Sequence, residues 1–201
     1  MRLCRGGSQV VSGVTARAVP SGHDVPAGPD PVLRGRHNLS YINTDVYGDF
    51  ALAGSIFMDV RCDERFENHY ALLYGHHMKN GSMFGDLPLY KDRAFFEENR
   101  TGTLMLLDRS CSLTTFACLL ADASDGAIFD PEQWRDDIDG LLDYARANAL
   151  YLHEEAIEAA LADERATGIA PRVLALSTCS SEFTNARTVV LAFIVDYMPV
   201  A

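Results

Sequence analysis

The sequence predicts a mainly β fold built as a single domain, for three reasons. The chain has 201 residues, of which 48% are apolar and 9% aromatic, and a chain of this length and composition buries one hydrophobic core. Most apolar residues occur in short runs bounded by glycine or polar residues, as in buried strands. Helical spacing is confined to the middle and late parts of the chain. We therefore expect mostly short strands, with helices inserted late.

The chain is acidic, with 28 acidic and 17 basic residues and a formal net charge of −11. Its field repels nucleic acid and anionic lipid headgroups, so we expect no nucleic-acid partner. No segment approaches the roughly 18 to 20 apolar residues that span a bilayer, and the longest apolar run, residues 189–195, is strand-sized. The first residues lack the apolar stretch of a signal peptide. We expect no signal or transmembrane segment in this chain.

The N-terminal part differs in composition from the rest. Residues 1–31 hold four of the eight prolines and five of the fifteen glycines, without a sustained period of 2 or 3.6. Such a segment is typical of a loose lead-in. We expect poor order over residues 1–30 and one folded domain over residues 31–201.

The predicted strands follow in chain order. Residues 55–59 and 70–74 are apolar runs between glycine or polar residues, and residues 104–107 and 113–120 repeat the pattern. Residues 173–177 and 187–195 close the chain as two strands joined by a polar loop. The last run contains three Val with Thr, Leu, Phe and Ile, which suit a pleated, buried surface.

Helices are predicted in three regions. Between residues 83 and 99, apolar residues recur at helical spacing around Pro88 and Asp92, which indicates two short helices. A further helix is expected to begin at Asp130, with Pro131 at its first position and Gln133 completing a capping box. Residues 153–165 predict an alanine-rich, acidic helix. The apolar face of the helix after Asp130 would consist of Trp134, Ile138, Leu141, Leu142 and Ala145.

The last two strands carry a candidate nucleophile. Cys179 ends the first of them, and Arg187 begins the second eight residues later, so antiparallel pairing would bring the two together. A cysteine attacks only as thiolate, and a neighbouring cation raises the thiolate fraction. The guanidinium can also stabilise the oxyanion that forms when a carbonyl is attacked.

A candidate proton donor follows an earlier strand. Tyr74-Gly75-His76-His77 is a glycine-containing turn after the run at residues 70–74, so an imidazole would lie at the mouth of that strand, where it could protonate a leaving amine. Adjacent residues of an extended chain point to opposite faces. Only one of the two histidines can therefore face the thiol, and we favour His76.

Five short segments resemble class B sortases in order and spacing. They are Ala-Gly-Ser-Ile-Phe-Met-Asp at residues 53–59, Tyr-Gly-His at 74–76, Gly-Ser-Met-Phe-Gly-Asp-Leu at 81–87, Leu-Ser-Thr-Cys at 176–179 and Asn-Ala-Arg at 185–187. The resemblance extends from about residue 31 to residue 195. It implies a single-domain, eight-stranded sortase-type β-barrel with inserted helices and a catalytic triad of His76, Cys179 and Arg187.

The resemblance also implies an activity and partners. In this family the thiolate attacks the Thr carbonyl of a sorting signal in a secreted protein, and an amine of a peptidoglycan cross-bridge or a pilin lysine resolves the thioester. Neither cofactor nor metal is implied. Asn38, Ile42 and Ser177 would line the groove for the sorting peptide. The enzyme would act at the extracytoplasmic face of the cell membrane.

The N-terminal part departs from the family pattern. Class B sortases begin with a membrane anchor, an N-terminal helical segment and a first strand, and residues 1–30 resemble none of these. We therefore expect the N-terminal helix and the first strand to be missing or altered, which would leave an unpaired sheet edge.

Alternatives to this interpretation remain open. Cys179 could be a buried structural cysteine, and the chain could be a sortase-like module that holds a sorting peptide without cleaving it, or an inert fragment. A zinc site formed by His69, His76 and His77 is disfavoured because no close pair of ligands with zinc-site spacing is present. Cys111 and Cys118 are seven residues apart; on one strand they would face opposite ways and could not form a disulfide.

Overall fold

The fold is a single mixed sheet of nine strands. The computed structural model describes residues 9–15, 30–78, 82–179 and 186–196, with the backbone alone at residues 9–15, 179 and 196. The strands are β1 (Gln9–Thr15), β2 (Asp30–Arg34), β3 (Ile56–Met58), β4 (Tyr70–Tyr74), β5 (Thr101–Leu106), β6 (Ser110–Asp122), β7 (Ala149–Leu152), β8 (Val173–Cys179) and β9 (Ala186–Asp196).

Eight of these strands pair in a closed order, because the last strand of the order also pairs with the first. The order is β5-β1-β2-β3-β4-β8-β9-β6, β5 also pairs with β6, and β7 is added beside β6. The pairs β2–β3 and β4–β8 are parallel and the others antiparallel. The expected mainly β architecture of eight strands is thus confirmed, with β7 as a strand that was not predicted.

Helices occupy the connections between strands. They are a 3₁₀ helix (Leu87–Lys91), α1 (Arg93–Glu98), α2 (Gly126–Phe129), α3 (Ile138–Asn148) and α4 (Glu154–Thr167). The two short helices predicted between residues 83 and 99 and the helix predicted from residue 153 are confirmed. In the described part of the chain, no helix is long and apolar enough to cross a membrane.

The helix expected to be capped by Asp130 begins seven residues later, and this corrects the prediction. Asp137 is the N-cap, because its carboxylate accepts a hydrogen bond from the Gly140 N–H at 2.9 Å. The carboxylate of Asp130 accepts the Glu132 N–H at 3.2 Å and is also bound by Arg61 at 2.9 Å. Both aspartates therefore cap locally, but Asp130 caps only a turn and Asp137 caps the helix. The buried face includes Ile138, Leu141, Leu142 and Ala145, as predicted.

The N-terminal expectation is also corrected, for residues 9–15. They form β1, which pairs antiparallel with both β2 and β5. The strand therefore joins two others where an unpaired edge was expected. Its three valines and one threonine favour extended backbone, although the glycine and serine between them mask a regular alternation. Residues 1–8 and 16–29 lie outside the described residues.

The core fills the space between the sheet and the helices. β8 and β9 contribute continuous buried runs, Val173 to Leu176 and Val189 to Phe193, with each of these side chains at most 3% exposed. Such runs are typical of strands covered on both faces. Cys111 and Cys118 lie on β6, and both are buried. β4, β8 and β9, the three strands that end at the candidate site, are thereby held rigidly.

Candidate active site

Three neighbouring strands bring the predicted triad to one end of the sheet. β4, β8 and β9 are consecutive in the sheet order. The parallel register pairs Tyr74 with Ser177, and the antiparallel register pairs Cys179 with Arg187. The backbone of Cys179 therefore lies between the strand that leads to His76 and the strand that begins with Arg187. The thiol itself lies outside the described side chains.

His76 lies two residues beyond β4 and is tied to a neighbouring loop. The Gly75 N–H donates to the Ser177 carbonyl at 3.1 Å, which continues the β4–β8 pairing to the turn. Nε2 of His76 is 3.2 Å from the carbonyl oxygen of Ile42. Because a carbonyl can only accept, Nε2 carries the hydrogen and Nδ1 keeps its lone pair in the neutral ring. His76 can thus exchange a proton at Nδ1.

Gly75 allows the turn at His76 to pack closely. A Cβ at this position would lie 2.6 Å from Cδ2 of the buried Phe84, so a larger residue would push the ring away. His77 is exposed, and its backbone bridges to Met83. Of the two histidines, His76 is the one among the lining residues of the cavity described next.

A cavity of about 230 Å³ opens between the two described triad side chains. His76 and Arg187 both line it, together with Ile42 and Ser177 from the predicted groove. Arg187 is half-buried, and one of its terminal nitrogens donates to the Ala186 carbonyl at 3.1 Å. The other lining residues are Tyr41, Ser55, Phe57, Tyr74, Gly75 and Thr178.

Three buried hydroxyls on the cavity wall lack a hydrogen-bond partner within the described residues. They belong to Tyr41, Ser177 and Thr178, whose side chains are 4%, 1% and 1% exposed. A buried polar group without a partner is costly. These oxygens are closed off from solvent, so a molecule in the cavity reaches them only after the wall shifts.

Asn38, predicted to line the groove, does not line this cavity. Its amide nitrogen donates to Asp59 at 2.8 Å, and its amide oxygen accepts the Val60 N–H at 2.8 Å. Both ends of the side chain are thus used within the protein. The hydroxyl of Tyr74, a cavity residue, donates to the same Asp59 carboxylate at 3.2 Å. Asn38 therefore contacts Asp59, which lies behind the cavity wall and supports Tyr74.

Asp59 is the centre of that support. It is fully buried and accepts hydrogen bonds from Nε and Nη2 of Arg61, both at 2.9 Å. Burial alone would raise the pKa of this carboxyl, but the hydrogen bonds and charge of Arg61, with Asn38, outweigh it and leave the pKa lowered. Asp59 is therefore ionised and acts as a fixed acceptor for the Tyr74 hydroxyl.

The other described cysteines behave as core residues. Burial raises the pKa of the Cys62 and Cys118 thiols to about 12, so both stay protonated near neutrality. Within the described residues, no group of three or more His, Cys, Asp or Glu side chains is placed to hold a metal ion.

Sequence reasoning overlooked several cavity residues. Tyr74 and Thr178 lie in segments that resemble the family, and Tyr41 lies between Asn38 and Ile42, but local sequence does not show which side chains line a cavity. Ser55 and Phe57 lie in the segment at residues 53–59, where the pattern predicts only a buried strand. The position of Ser55 directly before β3 is the one available signal.

Known proteins resemble this chain in sequence. It is 29% identical to Sortase B of Staphylococcus aureus over 167 residues, which make up 82% of this chain and 64% of that protein. It is 39% identical to Sortase B of Listeria monocytogenes over 71 residues, 35% of this chain and 29% of that one. The chain thus spans less than two thirds of the length of either relative. No protein-family model matches it.

Solved structures extend the similarity to the fold. A class B sortase of Streptococcus pyogenes that is involved in pilus biogenesis has a TM-score of 0.74 and 29% identity, with 91% of this chain and 90% of that chain covered. The Staphylococcus aureus sortase B–substrate complex has a TM-score of 0.70 and 26% identity, with 94% and 82% covered. Sequence and structure thus point to the same group, the class B sortases, as the proteins that this chain resembles.

Proposed function

We propose that this protein is a cysteine transpeptidase that cleaves a sorting signal after Thr and transfers the acyl part to an amine. Cys179 is the nucleophile, His76 the general acid and base, and Arg187 the support for the oxyanion. Ile42 and Ser177 contact the peptide, and Asn38 acts from behind the cavity wall through Asp59. The proposal requires neither a metal nor a cofactor.

In the first half-reaction, the Cys179 thiolate attacks the Thr carbonyl carbon and forms a carbon–sulfur bond. The carbonyl electron pair moves to oxygen, and the Arg187 guanidinium faces this oxyanion. When the carbon–nitrogen bond breaks, protonated His76 gives its proton to the departing amine. The product is a thioester between the substrate and Cys179.

In the second half-reaction, an acceptor amine attacks the thioester carbonyl. Neutral His76 takes the proton that the amine loses, and the carbon–sulfur bond breaks to restore the thiolate and form a new amide. The acceptor amine belongs to a peptidoglycan cross-bridge or to a pilin lysine, and the donor is a secreted protein that bears a C-terminal sorting signal. The enzyme works at the cell surface.

The main support is the position of three strand ends. Cys179 and Arg187 are register partners, His76 follows the strand on the other side, and His76 and Arg187 line the same cavity. Ser55, Ser177 and Thr178 are among the residues that line the cavity. A peptide with a polar side chain at the cleaved residue fits a lining of this kind.

Turnover of a panel of fluorogenic sorting peptides, each with Thr before the scissile bond, tests the proposal in the presence of triglycine or a lysine-containing peptide. We expect transfer to one of the two amines, and a loss of at least a thousandfold in Cys179→Ala. Cys118→Ala removes a buried thiol that does not line the cavity and is the control. Equal turnover in wild type and Cys179→Ala would exclude this mechanism.

A peptide-holding module without catalysis is the competing function. It predicts that a labelled peptide binds the wild type while intact mass spectrometry finds no thioester at Cys179. An acylated enzyme that Cys179→Ala cannot form would exclude this alternative.

A further inference from the structure

The connection between β2 and β3 exposes an unusual amount of apolar surface. Of the large apolar side chains that are exposed among the described residues, Leu39, Ile42, Tyr47, Phe50 and Leu52 all belong to residues 39–52, here called the apolar loop. Three of them, Tyr47, Phe50 and Leu52, are 76%, 76% and 82% exposed. Single exposed apolar residues are ordinary, but a group on one short segment marks an interaction site.

The apolar loop is built as an ordered hairpin. Thr44 and Phe50 form an antiparallel bridge. The Asp45 carboxylate accepts the N–H groups of Tyr47 and Asp49, each at 2.9 Å. The loop is also anchored to the protein, because Val46 packs against the buried cluster of Leu33, Tyr41 and Phe57. The exposed side chains are thus held in place by the backbone and do not fold back into the core.

The apolar loop is continuous with the candidate active site. Tyr41 and Ile42 line the cavity, and the Ile42 carbonyl is 3.2 Å from Nε2 of His76. The Ser55 hydroxyl, on the cavity wall, donates to the Thr44 carbonyl at 2.9 Å. A chain that leaves the cavity on this side therefore meets the hairpin first.

Charge distinguishes between possible occupants. The charged residues of the apolar loop are Asp45 and Asp49, both acidic, and the chain carries −11 overall. Anionic lipid and a second copy of this chain would both be repelled. A neutral or basic polypeptide would not.

We propose that the apolar loop binds an apolar, neutral or basic stretch of the same polypeptide that carries the cleaved bond, outside the sorting motif itself. This inference rests on the proposed function, because it takes the cavity as the site of peptide cleavage. It assigns part of the substrate affinity to residues away from the reacting atoms. The apolar loop would therefore act on KM more than on kcat.

The first experiment needs no catalysis. A fluorescein-labelled peptide of six alternating Leu and Ala residues ending in two Lys is titrated with Cys179→Ala, and binding is followed by fluorescence anisotropy. We expect that introducing Phe50→Ser and Leu52→Ser together into the Cys179→Ala protein raises the Kd for this peptide at least tenfold. The control is Leu107→Ser in the same protein, which should leave the Kd unchanged; Leu107 is 75% exposed and follows β5. Equal Kd values in the first comparison overturn the inference.

The second experiment uses the active enzyme. The fastest-cleaved peptide of the panel is compared with versions that carry the Leu-Ala-Lys stretch at either end. We expect one extension to lower KM at least fivefold in the wild type but not in the Phe50→Ser/Leu52→Ser variant, with kcat for the short peptide equal in both proteins. If no peptide is cleaved while the anisotropy result holds, the proposed function fails and the peptide-binding surface stands.

Other occupants give distinct results. Phe50- and Leu52-dependent pelleting with phosphatidylcholine–phosphatidylglycerol vesicles would assign the apolar loop to lipid. A dimer in sedimentation velocity that the double variant abolishes would assign it to a second copy. Either result overturns the inference if the double variant also binds the labelled peptide with the same Kd as the protein without these two changes.

Discussion

In the proposed mechanism, Arg187 is the residue whose chemistry is hardest to replace, since it lies opposite Cys179 across β8 and β9 and also lines the cavity. Arg187→Lys keeps the positive charge but loses the planar fork of donors. We expect kcat/KM to fall about 100-fold or more, the usual effect of losing an oxyanion donor, while alkylation of Cys179 by iodoacetamide slows far less. Arg165→Lys, on exposed α4, is the control. Full activity in Arg187→Lys would remove Arg187 from the oxyanion role.

At the scale of the structural element, Gly54 supports the backbone of both the apolar loop and the cavity wall. Gly54 has φ +58°, and a Cβ there would collide with the carbonyl oxygens of Tyr41 and Ile42. Gly54→Ala should therefore cost about 1 to 3 kcal/mol of unfolding free energy and displace the carbonyl that contacts His76. We expect a Tm lower by several degrees, measured by calorimetry, together with reduced kcat.

The matched control is Gly126→Ala in α2, where an added Cβ meets nothing within 4 Å. Its Tm should stay within about 2 °C of the wild type, since alanine suits a helix. If Gly54→Ala is as stable as Gly126→Ala, the conformation at Gly54 does not depend on glycine.

At the scale of the whole molecule, the hydrogen bonds of Asp59 and its partner Arg61 connect segments that are distant in sequence. The Asp59 carboxylate joins Asn38 after β2 to Tyr74 at the end of β4, and Arg61 extends the connection to Asp130 after α2. The pKa of Asp59 is lowered in the folded state, so the carboxylate contributes stability above its unfolded pKa of about 4. That contribution is lost as the pH falls through the folded-state pKa.

We predict that Asp59→Asn lowers the unfolding free energy at pH 7 by about 2 kcal/mol, because Arg61 keeps part of its exposure and its contact with Asp130. Between pH 5 and pH 3 the variant should lose stability less steeply than the wild type. Urea titrations at each pH measure both effects. Asp163→Asn, an exposed change of one charge on α4, should keep the wild-type slope; an unchanged slope in Asp59→Asn would contradict the assignment.

Local sequence patterns correctly predicted those strands and helices whose boundaries do not depend on contacts with distant segments. Tyr70–Tyr74 and the final two strands follow from apolar runs, and α4 follows from its alanine-rich, acidic sequence. The start of α3 did not follow, since Asp130 and Asp137 both accept a backbone N–H from the residues after them, and a continuous helix follows only Asp137. β1 was missed because pairing with β2 and β5 stabilises a strand that its own pattern marks only weakly.

The sequence by itself determined the residue types, their order and the strand ends that carry them: His76 after one buried run, Cys179 at the end of another and Arg187 at the start of the next. Hydrophobic burial decides these positions, and burial is visible in apolar runs. Only the tertiary structure decided that the Ile42 carbonyl faces His76 and that Asn38 binds Asp59 instead of lining the cavity. It also decided that the buried hydroxyls of Tyr41, Ser177 and Thr178 have no hydrogen-bond partner among the described residues. Hydrogen bonds between segments dozens of residues apart depend on distances of a few tenths of an ångström, which packing sets and no local pattern encodes.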